Sequence, residues 1–162
     1  MRTAKRLVAT ALLVALVLLG ACSSREPGRL DLPPSALVQR LDYDAQGRIN
    51  ATFRVQNFGP KPIHYTELTL TLHLGGSEAG QFRLPLGFDI AGHASEVVQG
   101  STVASASALE SLKAAEQRAG AIGSGTVTYR IDGTLVSEKK GSFHIQYEGR
   151  LSPEPGLPHH FR

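Results

Sequence analysis

The sequence predicts a mainly β fold, an antiparallel β-sandwich of about seven strands with one α-helix. Apolar and polar residues alternate over several segments, which is typical of strands with one buried and one solvent-facing side. Clusters of Gly, Pro and Asn separate these segments and indicate turns. One alanine-rich stretch follows a helix-capping signal instead. Two sheets packed face to face would bury all the apolar strand faces at once.

The alternation is clearest in four segments of the chain. The apolar members are Ile49, Ala51, Phe53 and Val55, then Leu68, Leu70, Leu72 and Leu74, then Val127, Tyr129 and Ile131, and finally Phe143, Ile145, Tyr147 and Leu151. Weaker strands are expected at about 36–43, 81–84 and 95–103. Turns are expected at residues 59–62, at Gly75-Gly76, at Gly92 and at Asp132-Gly133.

The single helix is predicted to begin at Ser107. With Glu110 three residues later, Ser107 fits a capping box, in which each side chain satisfies a backbone N–H of the other. Helix-forming residues continue to Ala119, and Gly120 can end the helix in a left-handed conformation. We expect about three turns, with Leu109 and Leu112 on the buried stripe, lying over one end or edge of the sandwich.

The start of the chain has the features of a secretory signal. Arg2, Lys5 and Arg6 precede an apolar run from Leu7 to Leu19, which is shorter than the roughly 20 residues that span a bilayer. The run ends in Leu-Gly-Ala-Cys, which resembles the bacterial lipobox, and Cys22 is the only cysteine of the chain. Residues 1–21 are therefore predicted to be a lipoprotein signal peptide, and Cys22 to be the lipidated residue.

The lipobox implies a location in the cell envelope. Residue 23 is Ser rather than Asp, which by resemblance to the Gram-negative sorting pattern favours a lipid anchor in the outer membrane, with the protein facing the periplasm. Residues 22–35 are predicted to be a flexible tether, 36–151 the sandwich, and the proline-rich segment 152–162 a disordered tail. The formal net charge of +3 loses three basic residues with the signal, so the mature chain is near neutral and nucleic acid is not expected as a partner.

Catalytic and metal-binding patterns are weak in this sequence. The six histidines fall in different segments or in the tail, without the converging spacing that a zinc site needs. Neither a nucleophile elbow nor a phosphate loop is present, and paired carboxylates are scarce. Tyr65, Tyr129 and Tyr147 are expected in the core or the sheets. We therefore predict a protein that is not an enzyme, with no catalytic residue, metal site or cofactor.

The order of motifs from about residue 37 to 151 resembles the type 2 late-embryogenesis-abundant (LEA) proteins and their water-stress and hypersensitive-response (WHy) domain. The residues that carry the resemblance are Asn57, Pro60 and Pro62 in a turn, and then a paired ending with Tyr129, Gly133 and Leu135 in the stretch 127–135 and Tyr147, Gly149 and Leu151 in the stretch 143–151. The usual Asn-Pro-Asn of that turn is absent at Phe58-Gly59. The resemblance implies an immunoglobulin-like or fibronectin-III-like sandwich with one helix, without enzyme activity.

That family is associated with desiccation, cold and salt stress and with the protection of other proteins. Together with the predicted lipid anchor, the resemblance leads us to expect a membrane-anchored lipoprotein with a protective or binding role in envelope stress. Its expected partners are the membrane and either unfolded proteins or an envelope protein. The alternative is a structural module that docks an envelope protein by pairing at a free strand edge. An envelope hydrolase is a third reading. The turn from Asn57 to Pro62 has either a purely structural role or a role in binding.

Overall fold

The computed structural model describes residues 32–162, which form a β-sandwich of two four-stranded sheets with one helix. The predicted fold class is therefore confirmed. In chain order the elements are β1 (Ser35–Tyr43), β2 (Arg48–Gln56), β3 (Ile63–Leu74), β4 (Ser77–Ile90), β5 (Ser95–Val103), α1 (Ala106–Ile122), β6 (Val127–Ser137), β7 (Gly141–Leu151) and β8 (His160–Phe161).

The strands divide between the sheets in an order that differs from their order along the chain. One sheet has the order β5-β2-β1-β8 and the other β4-β3-β6-β7, and every pairing is antiparallel. The connections from β2 to β3 and from β4 to β5 pass between sheets, and α1 carries the chain from β5 back to β6.

The core lies between the sheets and follows the alternation of the sequence. In β2 and β3 the predicted apolar positions are all buried, as are Tyr65 and Tyr129. Phe53 and Phe82 meet edge to face across the sandwich at 5.0 Å between ring centroids, a favourable aromatic geometry. Tyr147 departs from the expected pattern, because its side chain is 39% exposed.

The predicted turn at Asp132-Gly133 is wrong, because both residues lie inside β6. Gly133 pairs with Leu70 of β3, and a Cβ at residue 133 would lie 2.0 Å from the carbonyl oxygen of Thr69. Glycine in this strand therefore marks a close backbone approach rather than a reversal. The chain reverses after Ser137, at residues 138–140.

The helix begins and ends slightly outside its predicted limits. Ser105, not Ser107, is the N-cap, and its side chain accepts a hydrogen bond from the backbone N–H of Ala108. Gly123, not Gly120, ends the helix with a left-handed φ of 71°. Ser105 is favoured over Ser107 as the N-cap because its hydroxyl also donates to the Glu78 carbonyl oxygen at 2.6 Å. Local sequence does not reveal this contact with β4.

The segment 152–162 is ordered, which corrects the predicted disordered tail. Phe161 is fully buried and pairs with Leu41 of β1. The backbones of Ser152 and Arg162 exchange two hydrogen bonds. Prolines lower the mean hydropathy of this segment, but one aromatic ring placed in the core stabilises it by about 2 to 3 kcal/mol.

The sandwich has two distinct ends. The turn end contains the start of β1 and the loops 57–62, 91–94 and 138–140. The helix end contains α1, the tight turns after β1 and β3, and the segment 152–162. There a Cβ added at Gly47 would meet the Leu109 side chain, and one added at Gly75 would meet that of Ser111. Among the described residues, α1 lacks the length and apolar character that a membrane-crossing helix needs.

Candidate functional site

Asn57, the predicted motif residue, is buried at the turn end with 1% of its surface exposed. Its side-chain amide donates to the carbonyl oxygens of Lys61 at 2.8 Å, Ile90 at 3.1 Å and Ala91 at 3.2 Å. Its side-chain oxygen accepts from the Gly59 N–H at 3.0 Å. Because a buried amide is stable only when its donors and acceptor are satisfied, this network fixes the side chain in one orientation.

The network joins two loops that are far apart in sequence. The Asn57 backbone N–H donates to the Ala94 carbonyl oxygen, and the His93 N–H donates to that of Gly59. His93 has a positive φ of 59°, a conformation that few non-glycine residues adopt. Asn57 therefore clamps the end of β2 to the loop between β4 and β5.

Pro60 and Pro62 are both exposed on the same loop. Each fixes φ and lacks an N–H, so β2 ends cleanly and β3 begins at Ile63. A Cβ at Gly92 would lie 2.2 Å from the Pro60 carbonyl oxygen, so the loop pair needs a glycine there. The structure thus brings Asn57 and Pro60 together around the second loop, and Pro62 lies exposed directly before β3. Cys22 lies outside the described residues.

A depression of about 350 Å³ opens beside this clamp. Its walls include Pro33, Pro34, Lys61, Lys140 and Phe143. Lys61 and Lys140 come from different turns and were not singled out by sequence. The predicted strand directions could have found them, since the turns after β2 and β6 lie at the same end of a sandwich.

A second polar cluster at the helix end was also not anticipated. The Glu116 carboxylate accepts from the Tyr43 hydroxyl at 2.6 Å and from the His159 backbone N–H at 2.5 Å. The His159 ring lies 4.6 Å from the Tyr43 ring between centroids. Burial, reinforced by the hydrogen bond to Glu116, raises the pKa of Tyr43 well above its ordinary value. The cluster fastens α1 to β1 and to the segment 152–162.

Several other titratable side chains of the described residues form surface ion pairs. His64 contacts Asp89 at 2.8 Å and Arg83 contacts Glu67 at 2.9 Å, both at the surface, where such pairs add little stability. Within residues 32–162 there is no group of three or more His, Cys, Asp or Glu side chains placed to hold a metal ion. The chemistry that the described geometry offers is hydrogen bonding and surface charge.

The LEA_2 family model, described as late embryogenesis abundant protein, matches residues 52–150 of the chain. This range runs from β2 to β7 and includes Asn57, Pro60 and Pro62. It covers more than half of the 162 residues. No curated protein matches the chain in sequence.

A solved structure shares the fold of this chain. The solution structure of AT1g01470 from Arabidopsis thaliana is 17% identical, with a TM-score of 0.53, and the alignment covers 78% of this chain and 85% of that one. At2g46140.1, named as a late embryogenesis abundant (LEA) protein, is 16% identical with a TM-score of 0.42, and the alignment covers 93% of this chain and 87% of that one. From the match to its sequence model, the chain belongs to the late embryogenesis abundant family LEA_2.

Proposed function

We propose that this chain is a lipid-anchored, non-enzymatic LEA_2 protein of the bacterial cell envelope, where it protects other proteins during drying, cold or osmotic stress. The observation that carries the proposal is the combination of a LEA_2 domain over residues 52–150 with a lipobox-like sequence that ends at Cys22.

The anchor is supported by the sequence before the domain. Cys22 follows a short apolar run and is the only cysteine. Acyl chains bind a bilayer by about 0.8 kcal/mol per buried CH₂, so two or three chains anchor firmly. The outer membrane, facing the periplasm, is the proposed site because Ser rather than Asp follows Cys22.

The anchor is tested by mass spectrometry of the protein purified from bacterial membranes. We expect an N-terminal peptide that begins at Cys22 and carries the mass of the acyl groups. Cys22→Ser should leave the protein unacylated and release it from the membrane fraction. An N-terminus before residue 22, or an unmodified Cys22, would refute the anchor.

A protective role is supported by the polar outer faces of the sandwich. The outward side of β3 carries Thr69, Thr71 and His73, and that of β6 carries Thr128 and Arg130. Such hydrated faces can keep unfolding proteins apart without binding them tightly. A protein without enzyme activity also agrees with a site that offers hydrogen bonds and surface charge.

Protection is tested by drying or freeze-thawing a labile enzyme with the mature protein. Albumin at equal mass is the control for nonspecific crowding. We expect more recovered activity with this protein than with albumin. Equal recovery would remove the protective role while leaving the anchor unaffected.

A second candidate, docking of an envelope protein at a strand edge, has support from β5. This strand is the outermost of its sheet, and Val97 and Val103 on its solvent-facing side are 48% and 70% exposed. Edge strands with exposed apolar side chains are templates for pairing. A stoichiometric partner that co-purifies from membranes, and is lost in Val97→Lys but not in Thr71→Lys, would favour docking over protection.

A further inference from the structure

We infer that three lysines at the turn end form a face that docks on anionic lipid headgroups in the leaflet that holds the anchor. The face consists of Lys61, Lys139 and Lys140, and we call it the lysine face. The inference rests on the proposed lipid anchor and adds to it a fixed orientation of the domain at the membrane.

The lysine face collects most of the ammonium groups of the mature chain. Four lysines follow Cys22 in the sequence. Lys61 lies in the loop between β2 and β3, and Lys139 and Lys140 lie in the loop between β6 and β7. Lys61 and Lys140 line the same depression. The fourth lysine, Lys113, lies on α1 at the helix end.

The charges of the lysine face are available to a partner. All three side chains are exposed, and among residues 32–162 none of them takes part in an ion pair within 4.0 Å. The loops 57–62 and 138–140 hold the three lysines and one carboxylate, Glu138, which leaves a formal excess of two positive charges on these loops. Asp89, which contacts His64, and Glu96, at the start of β5, lie on the adjoining strands. The loops that carry the lysines are therefore positive, although the mature chain as a whole is near neutral.

The chain enters the domain at this same end, so the lysine face lies at the end from which the chain leads back to Cys22. Pro33 and Pro34 line the depression beside Lys61, and β1 begins at Ser35. Nine residues lie between Cys22 and Leu32, so a chain of this length reaches at most about 35 Å from one to the other. Leu32 is 54% exposed and adds an apolar contact beside the charges.

The expected attraction is large enough to orient an anchored domain. A lysine near an anionic bilayer contributes about fivefold to the binding constant, and the effect falls off within roughly 8–10 Å at ordinary salt. Phosphate oxygens of headgroups accept hydrogen bonds from ammonium groups. Because the anchor already holds the domain at the surface, this attraction sets which end faces the lipid.

The test uses the mature acylated protein in vesicles of phosphatidylcholine alone or with phosphatidylglycerol added. Acetylation of lysines and hydrogen exchange of the backbone are followed by mass spectrometry. We expect phosphatidylglycerol to slow acetylation of Lys61 and Lys140 about fivefold and to slow exchange in the loops 57–62 and 138–140. Lys113 should react equally in both vesicles, and high salt should remove the difference.

Variants separate the lysine face from general charge. The triple variant Lys61→Gln, Lys139→Gln and Lys140→Gln should lose the slowed exchange, whereas Lys113→Gln should keep it. If the acylated protein shows the same lysine acetylation and the same loop exchange in both kinds of vesicle, the inference is overturned and the anchor is unaffected. A protein that carries no acyl mass would overturn the anchor and, with it, this inference.

Discussion

The Glu116 carboxylate accepts a hydrogen bond from the backbone N–H of His159, which fastens the segment 152–162 to α1. His159 adopts a positive φ of 67°, and its carbonyl oxygen accepts from the Tyr43 N–H. The next residues, His160 and Phe161, form β8 beside β1. One carboxylate on the helix thus positions the strand that completes a sheet.

Phe161→Ala is expected to lower the free energy of unfolding by about 3 kcal/mol, because a fully buried ring is replaced by a cavity. Leu157→Ala in the same segment is the control, since Leu157 is 49% exposed and its loss should cost under about 0.5 kcal/mol. Urea denaturation measures both. Equal stability of the two variants would show that the segment is not part of the core.

Asn57→Ala is expected to cost about 3 kcal/mol, because three carbonyl oxygens and one N–H lose their side-chain partner in a buried site. Asn57→Asp should be no better, since a carboxylate cannot donate to those carbonyls. The matched control is Asn50→Ala, which removes an exposed hydrogen bond to Asp42. If urea denaturation finds Asn57→Ala as stable as Asn50→Ala, the clamp is refuted.

Two buried tyrosines should respond oppositely to loss of the hydroxyl. The Tyr65 hydroxyl is buried without a hydrogen-bond partner among the protein atoms of residues 32–162, so Tyr65→Phe should raise stability by about 1 kcal/mol. The Tyr129 hydroxyl donates to the Val38 carbonyl oxygen at 3.3 Å, so Tyr129→Phe should lower it by about 1 kcal/mol. Thermal unfolding of both variants checks the sign, and a shared direction would contradict this account.

Stability should fall as the pH rises above 10. Burial raises the pKa of Tyr65 to about 12, and burial followed by the charge of Tyr147 raises that of Tyr129 to about 12. Between pH 10 and 12 the unfolded chain releases these protons while the folded chain keeps them, so the contribution present below pH 10 is lost. Urea midpoints across this range should decline, and less steeply in Tyr65→Phe. A urea midpoint that stays constant between pH 10 and 12 would contradict the raised pKa values of the two tyrosines.

Gly133→Ala should destabilise the sheet by more than about 2 kcal/mol, because its Cβ would collide with the Thr69 carbonyl oxygen at 2.0 Å. Gly120→Ala is the matched control. Gly120 lies in α1 with no neighbour within 4 Å of an added Cβ, and alanine there should stabilise the helix by about 0.8 kcal/mol. Guanidinium unfolding should separate the two variants in opposite directions.

The alternation in the sequence predicts the inner strands well, because burial on one face constrains every second residue. It predicts β4 poorly. This strand runs from Ser77 to Ile90 but was expected only at 81–84, since Pro85 and Gly87 interrupt the pattern. β4 is an outermost strand, where a missing backbone donor is tolerated.

Contacts between distant residues explain the other differences. Turn chemistry identified Asn57, but its partners Ile90 and Ala91 belong to a loop that local patterns do not connect to it. Likewise, the order of segment 152–162 depends on the place that Phe161 finds beside Leu41. Secondary-structure propensity reflects residues that are close in sequence, whereas contacts with residues distant in sequence fix the positions of Asn57 and Phe161.

The strand order has a consequence for folding kinetics. β2 pairs with β5, and β3 pairs with β6. In each sheet, two neighbouring strands are therefore separated in sequence by at least one strand of the other sheet. Such non-local pairing closes long loops before contacts compensate for the lost entropy, which is typical of domains that fold in milliseconds to seconds. Because the strands of the two sheets alternate along the chain, we expect the domain to fold in one cooperative step.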